Sequence, residues 1–277
     1  MIELLSFRFV QMAVICALIL AGIHAYLGFH IVSRGVIFVD LSLAQMAALG
    51  AVFAIASGIG EKGPLQYVIS LLFTFLGAVL ISIMRTRDER IPQEAFIGIL
   101  YAGGSAFAIL LLSHQPQGME ELQHMLTGSL LTVSPGENIK LAVAYTAIGL
   151  FHYMFRERFF LITSNRAAAR QRGLNVTWWD FLFYASFGIV VTSSVAVAGV
   201  LLVFSFLVIP PVIALLFTRQ SSHRLSLGWI VAFLGSVGGI FLSVACNLPA
   251  GPSIIAVLIA ILALTAVIAL ISRQSGA

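Results

Sequence analysis

Charge is what this sequence has least of. Of its 277 residues, 9% are Asp, Glu, Lys or Arg and 60% fall in the hydrophobic set. A soluble domain carries roughly a quarter charged residues. Polar groups are therefore too few to coat a water-soluble globule of this length. A soluble enzyme, a disordered linker and a nucleic-acid binder are excluded together, and lipid is left as the solvent.

Lysine and cysteine are nearly missing too. Two of the 15 basic residues are Lys (Lys62 and Lys140) and the other 13 are Arg. They form no basic tract with interleaved aromatics, so the net charge of +4 reads as a topology signal and not as an affinity for nucleic acid. Cys16 and Cys246 lie far apart in apolar surroundings, which excludes a disulfide framework and a CxxC metal knuckle. A phosphate-binding P-loop needs Lys between Gly and Ser or Thr. Lys62 stands between Glu61 and Gly63, and Lys140 between Ile139 and Leu141, so neither qualifies. HExxH and GxSxG are absent as well. No catalytic residue is nominated.

Apolar runs are there in quantity. A membrane helix needs about 20 mainly apolar residues. Nine stretches meet this: 9–32, 36–59, 65–84, 95–112, 139–155, 181–198, 199–217, 227–245 and 254–271. The expected fold is an all-α, polytopic transmembrane helical bundle of about nine spans, with eight as the alternative, forming one domain over residues 1–277. The weakest division is between the sixth and seventh stretches, because 181–217 is nearly continuous. The first stretch is too long for the apolar region of a secretory signal, and Glu3 precedes the first Arg, so it reads as a retained span.

Threading nine spans gathers Arg34, Arg85, Arg87, Arg90, Arg156, Arg158, Arg166, Arg170, Arg172, Arg219, Arg224 and Arg273 on one side. Arg8, Lys62 and Lys140 fall on the other. This bias places the C-terminus in the cytoplasm and the N-terminus outside.

The largest inside segment, 156–178, contains Asn165-Arg166-Ala167-Ala168-Ala169-Arg170-Gln171-Arg172-Gly173. Ala and Arg favour a helix, Asn165 can cap its start and Gly173 can supply a left-handed stop. Such a helix serves either as an interfacial helix held by anionic headgroups or as a docking helix for a cytoplasmic partner. On the outside, Glu120, Glu121 and His124 fall within one helical turn, a solvated face or a loose cation site.

Inside the spans, Asp40 is followed by Ser42 and Gln45. An intramembrane carboxylate is costly and belongs on a bundle interior or a water-filled path, unless it caps a helix at the interface. Asp40 and Gln45 lie about 140° apart around a helix and share no face. His24, His30 and His152 read as packed or interfacial histidines. Pro210-Pro211 removes backbone donors, so a helix break or kink is expected at Pro210. Gly98, Gly103 and Gly104, and Gly235, Gly238 and Gly239, permit close helix contact. One acid in the spans is little for a proton relay, which favours transport powered by a separate subunit.

Four fragments carry a resemblance. They are Glu94-Ala95-Phe96-Ile97-Gly98-Ile99, then Leu122-Gln123-His124-Met125-Leu126-Thr127-Gly128-Ser129-Leu130-Leu131. The third is Ala198-Gly199-Val200-Leu201-Leu202-Val203 through Leu207-Val208-Ile209-Pro210, and the fourth Asn247-Leu248-Pro249-Ala250-Gly251-Pro252. In this order and spacing the chain resembles the membrane permease subunit of the ABC importers for zinc, manganese and iron.

The resemblance implies a translocation path for a divalent metal, free or chelated, in a bacterial cytoplasmic (inner) membrane. It implies an ABC ATP-binding subunit that uses the ATP, an extracytoplasmic metal-binding protein, and a second permease copy or a paralogue. The chain itself would bind no cofactor. Asn165, Arg166, Arg170, Arg172 and Gly173 match the family's cytoplasmic coupling helix, and His124 its outer-loop histidine. The family carries Asp and His four residues apart at the start of the second span. Here Leu41 and Gln45 stand at those positions, beside Asp40. An amide is a poor replacement for imidazole towards zinc. The candidate metal-path residues are thus Asp40, Gln45 and His124. A self-sufficient secondary transporter and a membrane-embedded enzyme are the alternatives.

Overall fold

Every regular element among the described residues is a helix, as lipid demands of a chain that must satisfy its own backbone. The computed structural model describes residues 7–59, 63–83, 92–113, 128–218 and 220–275. Its helices are α1 (Arg8–Arg34), α2 (Val39–Ala56), α3 (Pro64–Ile83), α4 (Gln93–Leu112), α5 (Pro135–Met154), α6 (Arg156–Ser164), α7 (Arg166–Gln171), α8 (Val176–Ala198), α9 (Val200–Phe217), α10 (Ser221–Cys246) and α11 (Ala250–Ser275). A 3₁₀ turn, Leu130–Thr132, precedes α5.

Eight of these, α1 to α4 and α8 to α11, are long and apolar enough to cross a membrane. The expected fifth span is α5, a helix of 20 residues, but Glu137, Asn138, Lys140 and His152 make it less apolar than the other eight. It opens with a capping box. Ser134 N–H donates to Glu137 Oε2 (2.7 Å) and Glu137 N–H donates to Ser134 Oγ (3.2 Å), with Pro135 as the first helical residue. The Ser134 backbone and hydroxyl hold the Glu137 carboxyl below the usual carboxylate range, so the cap stays ionised in mild acid.

The near-continuous run 181–217 divides at Gly199, whose φ of 78° a side chain would resist. The break expected at Pro210 is not there: α9 is one helix from Val200 to Phe217 with both prolines inside it. The prolines withhold the N–H groups that the Phe206 and Leu207 carbonyls would accept. A Cβ on Gly28 of α1 would lie 2.1 Å from Leu207 O, so the orphaned carbonyl is pressed onto a bare Cα.

Contacts group the chain into two units, each assembled from distant segments. One comprises Met1–Val32, Leu126–Thr146 and Ala196–Ala277. In it α9, α10 and α11 pack on one another. Gly235 and Gly239 of α10 let α11 approach so closely that a Cβ on Gly239 would sit 2.3 Å from Ile254 Cα. Trp229 Nε1–H of α10 donates to Gly22 O of α1 (2.9 Å), and Asn138 Nδ2–H of α5 to Met12 O (3.0 Å).

The other unit comprises Ser33–Met125 and Ala147–Val195. Here α2 packs against α3 and α4. Gly50 meets the α3 backbone at Ser70, and Gly104 of α4 admits Gln45. Thr74 of α3 and Thr192 of α8 share a hydrogen bond (3.0 Å) where Gly188 leaves room. Gly98 and Gly103 face nothing within 4 Å, unlike the close contact expected of them.

Candidate functional site

The N-terminus of α2 is the first polar place inside the apolar mass. Four N–H groups at a helix start lack intrahelical partners and attract anions. Two carboxylates lie at this end. Glu94, in the first turn of α4, accepts the Ile37 N–H, and Asp40 sits in the first turn of α2 itself. Asp40 is not the cap residue: that position is Phe38, which makes no side-chain capping bond. Asp40 is buried, and its Oδ1 has no hydrogen-bond partner among the described residues. Ser42 Oγ, also buried, is in the same state. Buried unpartnered oxygens of this kind are rare.

Of the three candidate metal-path residues, the structure describes Asp40 and Gln45. Gln45 is half-buried, its backbone against Gly104 of α4. His124, with Glu120 and Glu121, lies outside the described residues. Among the described residues no group of three or more His, Cys, Asp or Glu is placed to hold a metal ion. His24, His30 and His152 are all buried. His152 stacks on Phe159 at 4.4 Å and pairs with Ser186 Oγ at 2.8 Å, a packed histidine.

The second polar place is the arginine-rich segment. Asn165 Oδ1 accepts the Ala168 N–H (2.9 Å), capping α7. At the other end the Gly173 N–H donates to Arg170 O (2.9 Å) and the Leu174 N–H to Ala169 O (3.1 Å), with Gly173 at φ 76°. This is a Schellman stop. A helix of six residues is far below the length that is stable alone. Its buried Ala169 and its outside attachments hold it.

The arginines of this helix have different uses. Arg170 and Arg172 are exposed. Arg166 turns inward. Its Nη1–H donates to Asp180 Oδ2 (2.9 Å) and its Nη2–H to Oδ1 (3.4 Å). Arg34, the last residue of α1, donates from Nη1 to the same Oδ1 (3.0 Å) and from Nε to Thr163 Oγ1 (2.9 Å). Its guanidinium lies 4.0 Å from the Phe183 ring centroid. Arg34 and Asp180 are 0% and 2% exposed, so among the described residues two cations and one anion meet here, largely out of contact with solvent.

Sequence reasoning missed Asp180 and used Arg34 only as a topology count. The segment boundary drawn at Trp178 stops two residues short of Asp180. A lone acid at the edge of an arginine-rich loop was the signal available.

Three of the four fragments that carry the resemblance, in their described residues, gather within one unit. Gly128, at φ 64°, presses on Ala198-Gly199: a Cβ there would lie 2.2 Å from Ala198 C. Ser129 N–H donates to Val197 O (2.9 Å). The 3₁₀ turn that follows lies against α11. Before α11, Asn247 closes α10 in the left-handed conformation (φ 55°). Ser243 Oγ–H donates to Leu248 O (2.6 Å) in the same corner.

A model of the ABC 3 transport family matches residues 6–270. The chain belongs to this family. "Manganese transport system membrane protein MntC" of Halalkalibacterium halodurans is 24% identical over 263 residues, covering 92% of this chain and 85% of the relative. The "Probable iron transport system membrane protein" of Haemophilus influenzae is 28% identical over 257 residues, covering 92% of each. The fold is that of a chain in the structure of PsaBC from Streptococcus pneumoniae in complex with Fab. The TM-score is 0.79 at 21% identity, over 95% of this chain and 93% of that one. As an ABC 3 family member the chain is a multi-pass membrane component of an ABC transport system, a transport subunit and not an enzyme.

Proposed function

We propose that this chain is the permease of a bacterial ABC importer for manganese or iron, free or chelated, and that a separate ATP-binding subunit docks on α7. The relatives named for manganese and iron support the cargo. Gln45, where the family has an imidazole, argues against tight zinc binding, since hard cations accept oxygen ligands more readily. The observation that carries the docking role is the geometry of α7: a helix capped at both ends that turns Arg170 and Arg172 to the outside while Arg166 fastens it within. The excess of arginine on that side places it in the cytoplasm of the cytoplasmic membrane. An extracytoplasmic metal-binding protein delivers the cation, and a second permease copy or paralogue completes the path. ATP binding on the partner then shifts an equilibrium between inward and outward states.

Copurification tests the docking. A tagged chain brings an ABC ATP-binding subunit with it, and Arg170→Glu/Arg172→Glu loses that subunit while membrane insertion is unchanged. Undiminished capture by this double variant removes α7 from the docking surface. Arg166 is unsuited to that test, because a carboxylate there would face Asp180.

Uptake distinguishes the buried polar groups. Asp40→Asn lowers transport of Mn²⁺ by roughly tenfold, about the free energy of one charge-assisted contact. His152→Gln, in its aromatic packing, changes uptake much less. Equal effects of the two substitutions count against Asp40 lining the path.

A further inference from the structure

We infer that Asp180 is the residue that positions α7 for coupling: it is the joint through which movement of the docking helix reaches α1 and α8. This rests on α7 being the docking helix, as proposed above, and concerns what lies behind it.

A single carboxylate at the start of α8 receives hydrogen bonds from the first residue of α7 and the last residue of α1. Arg34 then reaches α6 through Thr163. Three elements thus meet at one buried carboxylate, and α6 is tied to it through Arg34. The α7 helix cannot hold its own orientation at six residues, so its angle to the bundle is set by Arg166 on Asp180 and by the burial of Ala169. Arg166 grips the carboxylate with two N–H groups of one planar fork, which fixes direction as well as distance.

The composition of the cluster points the same way. Two guanidiniums share one carboxylate, and Arg34 Nη2 is buried without a hydrogen-bond partner among the described residues. For stability alone, apolar side chains of similar volume would do as well or better, and the attested use of such a buried group is to fix register. Arg34 stays on Asp180 whether or not Arg166 does, because it is fully buried and has Thr163 and Phe183 as further partners. Arg166 is 19% exposed and is the member that can be released.

The test uses the whole transporter, with its ATP-binding subunits, reconstituted in proteoliposomes. The readout is Mn²⁺ moved per ATP hydrolysed, a ratio that the amount of folded protein does not alter. Arg166→Gln leaves the buried Arg34–Asp180 pair in place and so preserves the fold. It lowers the ratio by roughly fivefold or more, the lower end of ordinary coupling between sites, with the ATP-binding subunit still attached. Asp180→Asn does the same, and Asp180→Glu keeps the ratio within about twofold of the native value. An unchanged ratio in assembled Arg166→Gln transporter overturns the inference. Loss of the ATP-binding subunit from Arg166→Gln also overturns it, since Arg166 would then be part of the docking face. If Arg170→Glu/Arg172→Glu still binds the subunit, the docking reading fails separately.

Discussion

Gly128→Ala is expected to destabilise the protein markedly, although it adds a single methyl group. Two independent terms combine at this position. A side chain at φ 64° costs about 1–2 kcal/mol in the left-handed region. The new Cβ would also lie 2.2 Å from Ala198 C and 2.4 Å from Gly199 N. Those atoms are backbone and cannot rotate away, so the segments must separate, at about 1–3 kcal/mol for overpacking. Ser129 N–H would then lose Val197 O. Against a total stability of about 5–15 kcal/mol the sum is large. In detergent, the unfolding midpoint should fall by roughly 5 °C or more. Gly98→Ala is the matched control. Nothing lies within 4 Å of that position, and alanine in a helix interior is favoured over glycine by about 1 kcal/mol. Opposite signs are expected for the same chemical change. A neutral Gly128→Ala would mean that the two segments do not touch.

The second large effect is at Asp180. Asp180→Ala leaves two guanidiniums facing each other, one of them fully buried, without the shared anion. Breaking a buried ion pair in this way costs about 3–5 kcal/mol, because a charge is stranded out of water. Replacing the whole cluster at once, as Arg34→Met/Arg166→Met/Asp180→Leu, removes the stranded charges. Methionine at position 34 also keeps a soft contact with Phe183. The triple variant is expected to unfold no earlier than the native chain, while the single variant unfolds roughly 6 °C earlier or more. The triple variant should nevertheless transport poorly, because nothing then directs α7. Thermal unfolding in detergent checks the stability half and vesicle uptake the other. Should the triple variant be as unstable as Asp180→Ala, the cluster is holding the fold together and not its register.

Much of the architecture is legible along the chain because helices are local objects. Apolar length alone located a helix at each of the nine expected stretches, and eight of those helices are long and apolar enough to cross a membrane. Gly199 divided a run that hydropathy could not, since a positive φ is a property of one residue. The α7 helix was legible from Asn165 and Gly173 for the same reason: caps act within three or four residues. The local rule about missing donors allows a break at Pro210 but omits the neighbour, and α9 runs on through both prolines. The Leu207 carbonyl is accommodated by Gly28, far away in sequence.

The candidate site was legible only in part. Asp40 stood out as an acid in an apolar run, and its burial with an unpartnered oxygen agrees with that cost. That Glu94 closes the start of α2, and that Arg166 faces inward while Arg170 faces out, could not be read from spacing. All of these are partnerships across helices.

What the amino-acid order determined by itself was the solvent, the helices, their ends and the side on which arginine collects, because each follows from transfer energy and from hydrogen bonds closed within a turn. Tertiary packing alone decided which arginine is an anchor and which is a surface, since Arg34 and Asp180 meet across 146 positions of sequence. No periodicity encodes such a meeting. It arises when helices pack, and a buried charge then keeps the arrangement that leaves it paired.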